Sequence, residues 1–459
     1  MSSFNNGLFI FRRDLRIIDN HGLHLLHQKC KNIYTIFIFT PEQVTNANKY
    51  KSNNAVQFMI ESLRELSAEI DKKGGHLYTF YGTNEKIVAN LIQELKIDMV
   101  CFNLDITPYA RERDEKIIGL CEKMETYIMY DWDYYLLEPN QVLNGTGEPY
   151  QKFTPFYEKA LKAGVESPKK IVHFKFIKTG KHLDHTISLN EAFNKFVSEN
   201  ENILVHGGRE KALNALKTAI KTQKHYSETH NDLIQPTSLL SAYIKFGCVS
   251  IREVFHAFKH NKALVRQLYW RDFYSQVMYH FPYVLDKPLK PNYAKIKWHT
   301  NERWFNLWCK GETGFPIVDA GMRELVVTGW MHNRARLIVA SFLVKTLLIN
   351  WKKGEQFFAK NLTDYDPANN NGNWEWIMGG GADSQPFFRI FNPWEQGKNF
   401  DPDCEYIKRW IPELKDLDAK VIHNWDEEWE NNKQINYTKP ICDYKKQKEL
   451  VLKMYKNAF

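Results

Sequence analysis

The chain has 459 residues, which is too long for a single hydrophobic core, so two or three domains are expected. Hydrophobic residues make up 43% of it, and the net charge of +8 permits a polyanionic partner. No apolar run reaches about 20 residues, and the seven cysteines are scattered without a CxxC pair, which argues against a membrane span, a disulfide framework and a metal site.

The first third of the chain alternates short apolar runs with helical stretches. The runs GLFIF, NIYTIFIF, HLYTFYG, DMVCFN and YIMYDW are typical of buried parallel strands. Segments 53–73, 84–96 and 108–124 are predicted to be the connecting helices. This pattern predicts an α/β domain with a doubly wound parallel sheet over residues 1–135. No GxGxxG motif follows the first strand, so the dinucleotide fingerprint is absent there.

The middle of the chain changes character. Residues 136–205 contain Gly, Pro and Lys with weak periodicity and are predicted to form an interdomain connector with a short helix or two. From residue 206 the pattern is helical almost throughout and ends near residue 415, and a charged segment follows. We therefore predict an all-α domain over residues 206–459.

A predicted helix start lies in the segment QPTSLLS at 235–241. Pro followed by Thr and Ser before an apolar run is typical of a helix N-terminus, with Thr237 or Ser238 as the cap. The free N–H groups and the positive dipole end of such a terminus suit a pyrophosphate. Without further context an ordinary helix cap is the favoured interpretation of this segment.

The most informative stretch is 328–397, where polar residues interrupt an otherwise apolar helical pattern. The offsets of three and four place four of its residues on one helix face: Trp330, Asn333, Arg336 and Leu337. A Pro- and Asn-rich turn then carries Asp364, Asp366 and Asn370. Carboxylates buried beside Arg and amide groups suit a large, flat, polar cofactor inside an apolar bundle.

This stretch resembles the flavin- and lesion-binding region of the DNA photolyase/cryptochrome family, most closely of class I cyclobutane pyrimidine dimer (CPD) photolyases. Four further motifs resemble that family in the same order: FRRDLRIIDN (11–20), FNLDITPYARERD (102–114), GTGEPYQKFTPF (145–156) and TGFPIVDAGMREL (313–325). Together they cover nearly the whole chain. The resemblance implies an antenna-binding N-terminal domain, and a helical domain that binds flavin adenine dinucleotide (FAD) and DNA.

The resemblance assigns two groups of residues to FAD. Those expected to hold the phosphates are Tyr226, Thr237, Ser238, Leu239, Leu240 and Ser241. Those expected around the flavin ring are Arg271, Arg336, Asp364, Asp366 and Asn370. Asn370 matches the residue that faces flavin N5, where plant cryptochromes carry Asp, and Asn favours an enzyme that keeps the flavin fully reduced. An antenna chromophore, folate or deazaflavin, also fits residues 102–114, and the sequence does not decide between these and none.

The resemblance further implies a pocket for a lesion that is flipped out of the duplex. Trp270 and Trp376 match the paired tryptophans that stack on the dimer. The other residues expected at the lesion or the DNA are Gln267, Asn333, Arg334, Leu337, Gln385, Arg389 and Gln396. Among them, Arg334 and Arg389 are the candidates for phosphate contact.

Two positions depart from the class I pattern, which usually has Glu in place of Gln267 and Met in place of Leu337. Gln at the first position is typical of the (6-4) photolyase branch. That branch also needs two histidines, and Asn333 and Leu337 stand in their places. Proton transfer of the (6-4) kind therefore has no obvious donor in this sequence.

Three tryptophans, Trp374, Trp351 and Trp298, match the family's electron-transfer chain from flavin to surface. Without the other motifs they would be interpreted as core residues of a Trp-rich bundle.

We therefore predict a carbon–carbon lyase, a deoxyribodipyrimidine photo-lyase that repairs CPDs in UV-damaged DNA by electron transfer from excited reduced FAD. A cryptochrome-type blue-light photoreceptor and a (6-4) photolyase are the alternatives. We expect a monomer without a metal or a membrane anchor. Scattered thiols and the lack of a signal-peptide pattern in GLFIFRRDLR predict a cytoplasmic or nuclear location.

Overall fold

The computed structural model describes residues 4–170 and 172–459. Its N-terminal part is built on a sheet of five parallel strands in the order β3-β2-β1-β4-β5. The strands are β1 Phe4–Phe11, β2 Cys30–Phe39, β3 Leu77–Tyr81, β4 Met99–Leu104 and β5 Tyr127–Trp132. All five predicted apolar runs are therefore strands. The central strand β1 pairs with β2 and β4, and Phe9 lies opposite Thr35 and Cys101.

Helices cover the faces of this sheet. They are α1 His21–Lys29, α2 Pro41–Val44, α3 Asn53–Lys72, α4 Asn84–Leu95 and α5 Pro108–Lys123. Local signals explain the start of the longer ones: Ser52 accepts from Ala55 N to cap α3, and Thr107 caps α5 before Pro108. The predicted helices at 53–73, 84–96 and 108–124 are confirmed, and the fold class of this part is the predicted one.

The predicted connector is more structured than its weak periodicity indicates. It contains α6 Phe153–Ala163 and α7 Leu189–Phe196. Between them the chain runs beside the sheet and makes isolated bridges from Phe176 to Ile33 and from Thr186 to Phe80. The boundaries at residues 135 and 205 stay predictions.

The remainder of the chain is helical, as predicted. Its helices are α8 Arg209–Thr222, α9 Tyr226–Thr229, α10 Ser241–Lys245, α11 Ile251–Ala257, α12 Lys262–His280, α13 Glu302–Lys310, α14 Pro316–Thr328, α15 Asn333–Lys345, α16 Trp351–Asn361, α17 Pro367–Met378, α18 Pro393–Phe400, α19 Glu405–Trp410, α20 Ala419–His423, α21 Trp425–Glu428 and α22 Tyr444–Lys456. Short 3-10 helices lie at Pro282–Leu285, Pro291–Lys295, Pro412–Leu414 and Trp429–Asn432.

The expected end of the helical pattern near residue 415 is wrong. Three helices follow that point, and the last, α22, buries Val451 and Tyr455 against the bundle. The Tyr455 hydroxyl donates to Met378 O at 2.8 Å. The many charged residues of this segment lie on the outer face of α22. They made its apolar stripe difficult to recognise in the sequence.

A buried ion network joins the helical part to the carboxyl edge of the sheet. Arg252 of α11 donates to Asp19 at 3.0 Å and to Asp133 at 2.7 Å, and Arg16 donates to Asp133 at 2.6 Å. All four side chains are at most 4% exposed. Because two carboxylates face two guanidinium groups, the desolvation cost of each is offset by the others.

Within the described ranges, none of the helices is both long and apolar enough to cross a bilayer. The same residues do not bring three His, Cys, Asp or Glu side chains together as metal ligands. The seven cysteines are free thiols.

Candidate functional site

A cavity of about 350 Å³ lies in the helical bundle, between α10, α12, α15, α16 and α17. Most of the predicted site residues line it: Tyr226, Ser238, Leu240, Ser241, Gln267, Arg271, Asn333, Arg336, Leu337, Asp364, Asp366, Asn370 and Trp374. The predicted residues that do not line it are Thr237, Leu239, Trp270, Trp298, Arg334, Trp351, Trp376, Gln385, Arg389 and Gln396. The structure thus joins segments that are far apart in the chain around one space.

The segment before α10 differs from the predicted cap. Helix α10 begins at Ser241, with Leu240 at the cap position and no side-chain capping bond. Leu239 has a left-handed backbone (φ 52°), which turns the chain between Ser238 and the helix. The prediction that Thr237 or Ser238 caps the helix is therefore wrong. Thr237 Oγ1 is instead buried without a hydrogen-bond partner.

Arg336 and Asp364, both expected around the flavin ring, form an ion pair. Arg336 Nη2 donates to Asp364 Oδ2 at 2.9 Å, and its Nε donates to Met331 O at 2.9 Å, just before α15. The side chain of Asp364 is 6% exposed. Its second oxygen, Oδ1, is buried without a partner and remains available to a ligand in the cavity.

Asp366 is held from two sides. At the N-cap of α17, its Oδ1 accepts from Asn369 N at 3.1 Å, and its Oδ2 accepts from Arg13 Nη2 at 2.8 Å. Burial alone would raise the pKa of this carboxyl, but Arg13 and then Arg271 hold that pKa well below its usual range. Asp366 therefore presents a carboxylate, a hydrogen-bond acceptor, to the cavity.

Asn370 lies one turn into α17, and its amide is oriented by the neighbouring helix. Its Nδ2 donates to the backbone oxygen of Glu355 at 3.0 Å. The next residue, Asn371, donates to Glu355 Oε1 at 3.0 Å, which fixes the spacing between α16 and α17. One N–H of the amide donates to Glu355, so the Asn370 side chain offers its oxygen, an acceptor, and its second N–H to a ligand.

The cavity fits a cofactor that is flat, polar at its edge and anionic at one end. Besides Asp364 Oδ1, the buried Arg271 Nη2 on this wall lacks a partner. Apolar side chains complete the wall: Ile244, Val254, Leu264, Leu268, Ala340, Phe358, Leu362 and Ile377. Unpaired donors and acceptors between apolar surfaces are the arrangement expected for FAD.

Several other residues of this wall were not predicted from the sequence. They are Lys245, Tyr365, Asn369 and Asn373. The three from the Pro- and Asn-rich turn and α17 could have been proposed from their helical offsets to Asp366 and Asn370. Lys245 ends a five-residue helix and carries no such signal.

The residues predicted at the lesion are divided between two spaces. Gln267, Asn333 and Leu337 line the main cavity. Trp376 lines a second cavity of about 260 Å³, whose wall also contains Ser341, Lys345, Ile377, Gln385, Arg389 and Phe391. Ile377 lines both cavities, so they lie on either side of that residue.

Trp270 does not line either of these two cavities. Its ring stacks on Phe153 of α6, with centroids 3.7 Å apart and planes inclined by 6°. One face of this tryptophan is therefore covered by the connector, and only the other face is left for a stacked base.

The two candidate phosphate contacts differ in their surroundings. Arg334 donates to Asn231 Oδ1 from Nε at 3.2 Å and lies 4.3 Å above the ring of Phe400. Arg389 is exposed and donates to Gln385 Oε1 at 2.6 Å. Both arginines retain N–H groups for a further acceptor.

Gln396, also predicted at the lesion or the DNA, has a buried Oε1 without a partner.

The three tryptophans become more exposed from the cavity outward. Trp374 on the cavity wall is 2% exposed, Trp351 is 3% exposed, and Trp298 is partly exposed. Trp374 packs directly on Gly354, since a Cβ there would lie 2.2 Å from Trp374 Cη2. That glycine is one turn from Trp351, and the bond from His299 N to Leu348 O at 2.8 Å brings Trp298 beside the start of α16.

A small cavity of about 40 Å³ lies at the carboxyl edge of the sheet, where open α/β sheets bind ligands. Its polar lining residues are Arg12, Thr40, Gln43, Asn84, Tyr109 and Arg113. Two nitrogens of Arg12, Nε and Nη2, are buried without partners. They are donors that an acceptor group of a ligand could satisfy.

Comparisons with known proteins show the family of the chain. A family model described as DNA photolyase matches residues 8–172, and one described as the FAD binding domain of DNA photolyase matches residues 264–457. The deoxyribodipyrimidine photo-lyase of a Synechococcus species is 34% identical over 435 residues, which cover 90% of this chain and 89% of the relative.

Two solved structures are similar over almost the whole chain. An archaeal photolyase from Sulfolobus tokodaii, which contains two FAD molecules, has a TM-score of 0.89 and 36% identity, and the match covers 98% of this chain and 100% of that one. A cryptochrome from Synechocystis has a TM-score of 0.90 over 99% of both chains, but at 24% identity it shows the fold alone. The chain therefore belongs to the DNA photolyase family and carries that family's FAD-binding domain.

Proposed function

We propose that the protein is a deoxyribodipyrimidine photo-lyase that repairs CPDs in UV-damaged DNA under light. The observation that carries this proposal is the apolar cavity in the helical bundle, whose wall presents unpartnered polar atoms on Arg271 and Asp364. The name of the Synechococcus relative supports the same activity. When bound, reduced FAD supplies one electron to the dimer on illumination and takes it back after the ring opens.

The chain's own residues would bind and orient the cofactor. Hydroxyl groups of Tyr226, Ser238 and Ser241 on the wall are suited to phosphate oxygens. Asp366 and the oxygen of Asn370 are acceptors, so they favour a ring edge that presents N–H groups. Such an edge is the protonated one, which agrees with a site that keeps its flavin reduced.

Recognition of the lesion would use the mouth of the main cavity. Gln267, Asn333 and Leu337 offer amide and apolar contacts to a flipped pyrimidine, while Trp376 and the free face of Trp270 offer stacking. A damaged, weakly stacked site costs less to flip than an intact one, which adds selectivity for lesions. Arg334 and Arg389 would contact the backbone phosphates and set the register.

The tryptophans would return oxidised cofactor to its active state. Trp374 borders the cavity, and Trp351 and Trp298 continue towards solvent. A series of indole rings can pass an electron inward without any movement of the chain. The tryptophans would take part in reduction of the cofactor and are not needed for the repair step itself.

A (6-4) activity has less support. Asn333 and Leu337 occupy the histidine positions, and the neighbouring His332 does not replace them. His332 caps α15 and accepts from Arg334 N at 3.1 Å, and burial, with Arg336, lowers its pKa to about 4. A neutral, buried imidazole of this kind is a poor proton donor at neutral pH.

A second ligand is proposed for the small cavity of the N-terminal domain. Arg12 with its unpartnered nitrogens, Arg113 and Tyr109 would take an acceptor group of an antenna chromophore, and the rings of a folate or a deazaflavin would lie outside this small cavity. The test is the fluorescence of the purified protein after incubation with each compound. Energy transfer from the added chromophore to FAD that is lost in Arg12→Met supports the site. Binding of the chromophore by that variant as tightly as by wild type contradicts it.

The test of the main proposal is repair of separate CPD and (6-4) substrates under identical illumination, by wild type and Gln267→Glu. We expect CPD repair by both proteins, with lesion affinity differing by about 1 kcal/mol or less, the scale of one hydrogen bond. We expect no appreciable (6-4) repair. Binding of FAD without repair of either lesion would instead favour a cryptochrome-type photoreceptor, and efficient (6-4) repair would overturn the assignment of the pocket.

A further inference from the structure

Arg13 belongs to the N-terminal domain, two residues beyond β1, yet its guanidinium reaches the helical domain. Its Nε donates to Lys245 O at 3.2 Å, and its Nη2 donates to Asp366 Oδ2 at 2.8 Å. On its own domain, Nη1 donates to both oxygens of Asp105, at 3.3 and 3.2 Å. The side chain is 11% exposed, so these bonds are largely shielded from water.

The two partners in the helical domain come from two different elements of the flavin cavity wall. Lys245 ends α10, whose first residue Ser241 is assigned to the phosphate end. Asp366 begins α17, which carries Asn370 and Trp374 to the ring end. One planar side chain therefore spans the distance between the start of α17 and the end of α10.

We propose that Arg13 is a positioning residue of the flavin site, which acts through Asp366 and the end of α10. It holds the carboxylate in the orientation needed for a ligand N–H, and it makes the shape of the cavity depend on the docking of the N-terminal domain. The inference rests on the proposed assignment of Asp366 to the flavin. It gives a role to the second arginine of FRRDLR, which the predicted site residues do not include.

Charge reinforces this geometry. The charged and titratable groups around Asp366 and its partner Arg13, from the loop after β1, are Asp105 from the loop after β4, Tyr135, Lys245 from α10, Arg271 from α12 and Tyr365. Tyr135 adds a hydroxyl that donates to Asp105 at 2.8 Å. Arg13 is the larger of the two cationic influences that oppose the effect of burial on the pKa of Asp366.

Removal of the Arg13 charge therefore moves the protonation of Asp366 to higher pH. The sign follows from the depressed pKa: an interaction that needs the carboxylate is present above the pKa and is lost as the pH falls through it. In wild type that loss lies below the usual range of carboxyl groups. Without Arg13 it enters the range in which the protein can be studied.

The experiment measures the affinity of the apoprotein for FAD by fluorescence titration between about pH 5 and 8. The variants are Arg13→Gln, which removes the charge, and Arg13→Lys, which keeps the charge but loses the planar fork. Arg323→Gln is the matched control, because Arg323 also donates from Nε to a backbone oxygen, that of Gly311, and from Nη1 to a carboxylate, that of Glu413, remote from the cavity.

Arg13→Gln is expected to bind FAD roughly tenfold more weakly at neutral pH, the scale of one charge-assisted hydrogen bond, and to weaken further as the pH falls. Arg13→Lys should bind more weakly than wild type without the acid dependence. Arg323→Gln should match wild type in both respects, whatever its melting temperature.

Wild-type affinity and pH profile in Arg13→Gln would overturn the inference, and so would a lower melting temperature with no change in the pH profile, since that is a purely structural effect. If Arg13→Gln does not fold, wild-type affinity in Arg13→Lys overturns it instead. Failure of the wild-type protein to bind FAD would contradict the proposed function and is distinguishable from both.

Discussion

At the scale of the single residue, Lys245 is an amine on the cavity wall that the sequence did not select. Its Nζ lies 3.7 Å from the centroid of the Phe246 ring. Burial, and then Arg13, lower its pKa from 10.5 to about 7. A group of this kind changes its charge within the physiological range, and FAD is an anion.

We therefore predict that FAD affinity is higher at pH 6 than at pH 8.5. Bound pyrophosphate favours the charged amine, and that advantage is lost as the pH rises through the pKa of about 7. Lys245→Met should bind FAD more weakly at pH 6 and show no alkaline decline. Fluorescence titrations of both proteins at the two pH values check this, and equal affinities in wild type would contradict it.

Glu375 is a second buried titratable residue, between Trp374 and Trp376 on α17. Its Oε2 accepts from Leu289 N at 3.2 Å, and its Oε1 is buried without a partner. Burial raises its pKa from 4.5 to about 8. The carboxyl is therefore neutral in the folded protein at neutral pH but ionised in the unfolded chain.

This difference predicts a fall in stability as the pH rises from about 4.5 to about 8, because the unfolded chain releases a proton that the folded protein keeps. Glu375→Gln removes the titration, so its melting temperature should decline less over that interval. The control is Glu395→Gln, because Glu395 is exposed. Calorimetry at several pH values is the measurement, and parallel curves for all three proteins would refute the interpretation.

At the scale of the secondary-structure element, packing of α16 against α17 brings Trp374 onto Gly354 and towards Trp351. Trp351→Phe should strongly impair photoreduction of oxidised FAD while leaving repair by chemically reduced enzyme intact. Trp308→Phe is the matched control: Trp308 lies 6.3 Å from Trp374 between ring centroids, but it is fully buried and offers no exit to solvent. Transient absorption spectroscopy follows the reduction. Equal loss in both variants would show that packing, and not an ordered route, is responsible.

The start of α15 carries the proposed phosphate contact. Arg334→Ala should reduce the slope of log affinity against log salt by about one, and it should do so equally for damaged and undamaged DNA. Arg64→Ala serves as the control, since Arg64 is exposed on α3 and donates to Asn190 away from the cavity. Filter binding over a range of salt concentrations gives the slope. An unchanged slope in Arg334→Ala would exclude this contact.

At the scale of the whole molecule, the ion network of Asp19, Asp133, Arg16 and Arg252 joins the two main parts of the chain. Arg252→Met should destabilise the protein by about 3–5 kcal/mol, because it leaves the buried carboxylate of Asp19 without a cationic partner. Arg323 is more exposed, so Arg323→Met is expected to lower the free energy of unfolding by about 1 kcal/mol or less. Urea unfolding followed by tryptophan fluorescence gives both values, and equal losses would contradict the assigned role of burial.

Several features follow from local sequence because their physical cause is local. Buried parallel strands are apolar on both faces, so the five runs before residue 135 were recognisable, and the helices between them carry ordinary caps. The predicted helix cap at Thr237 or Ser238 is wrong. The reason is also local, but it is not visible in the sequence. Leu239 adopts a left-handed backbone, which non-glycine residues seldom adopt.

The composition and order of motifs, by themselves, determined the family, the α/β and all-α parts and most of the cavity wall, since these depend on periodicity and on residues that the family's motifs contain. Only the tertiary structure decided which distant residues meet. Arg13 and Asp366 are 353 positions apart, and Trp270 is covered by Phe153 of the connector. Such contacts depend on how domains and helices pack, and no spacing within one element records that packing.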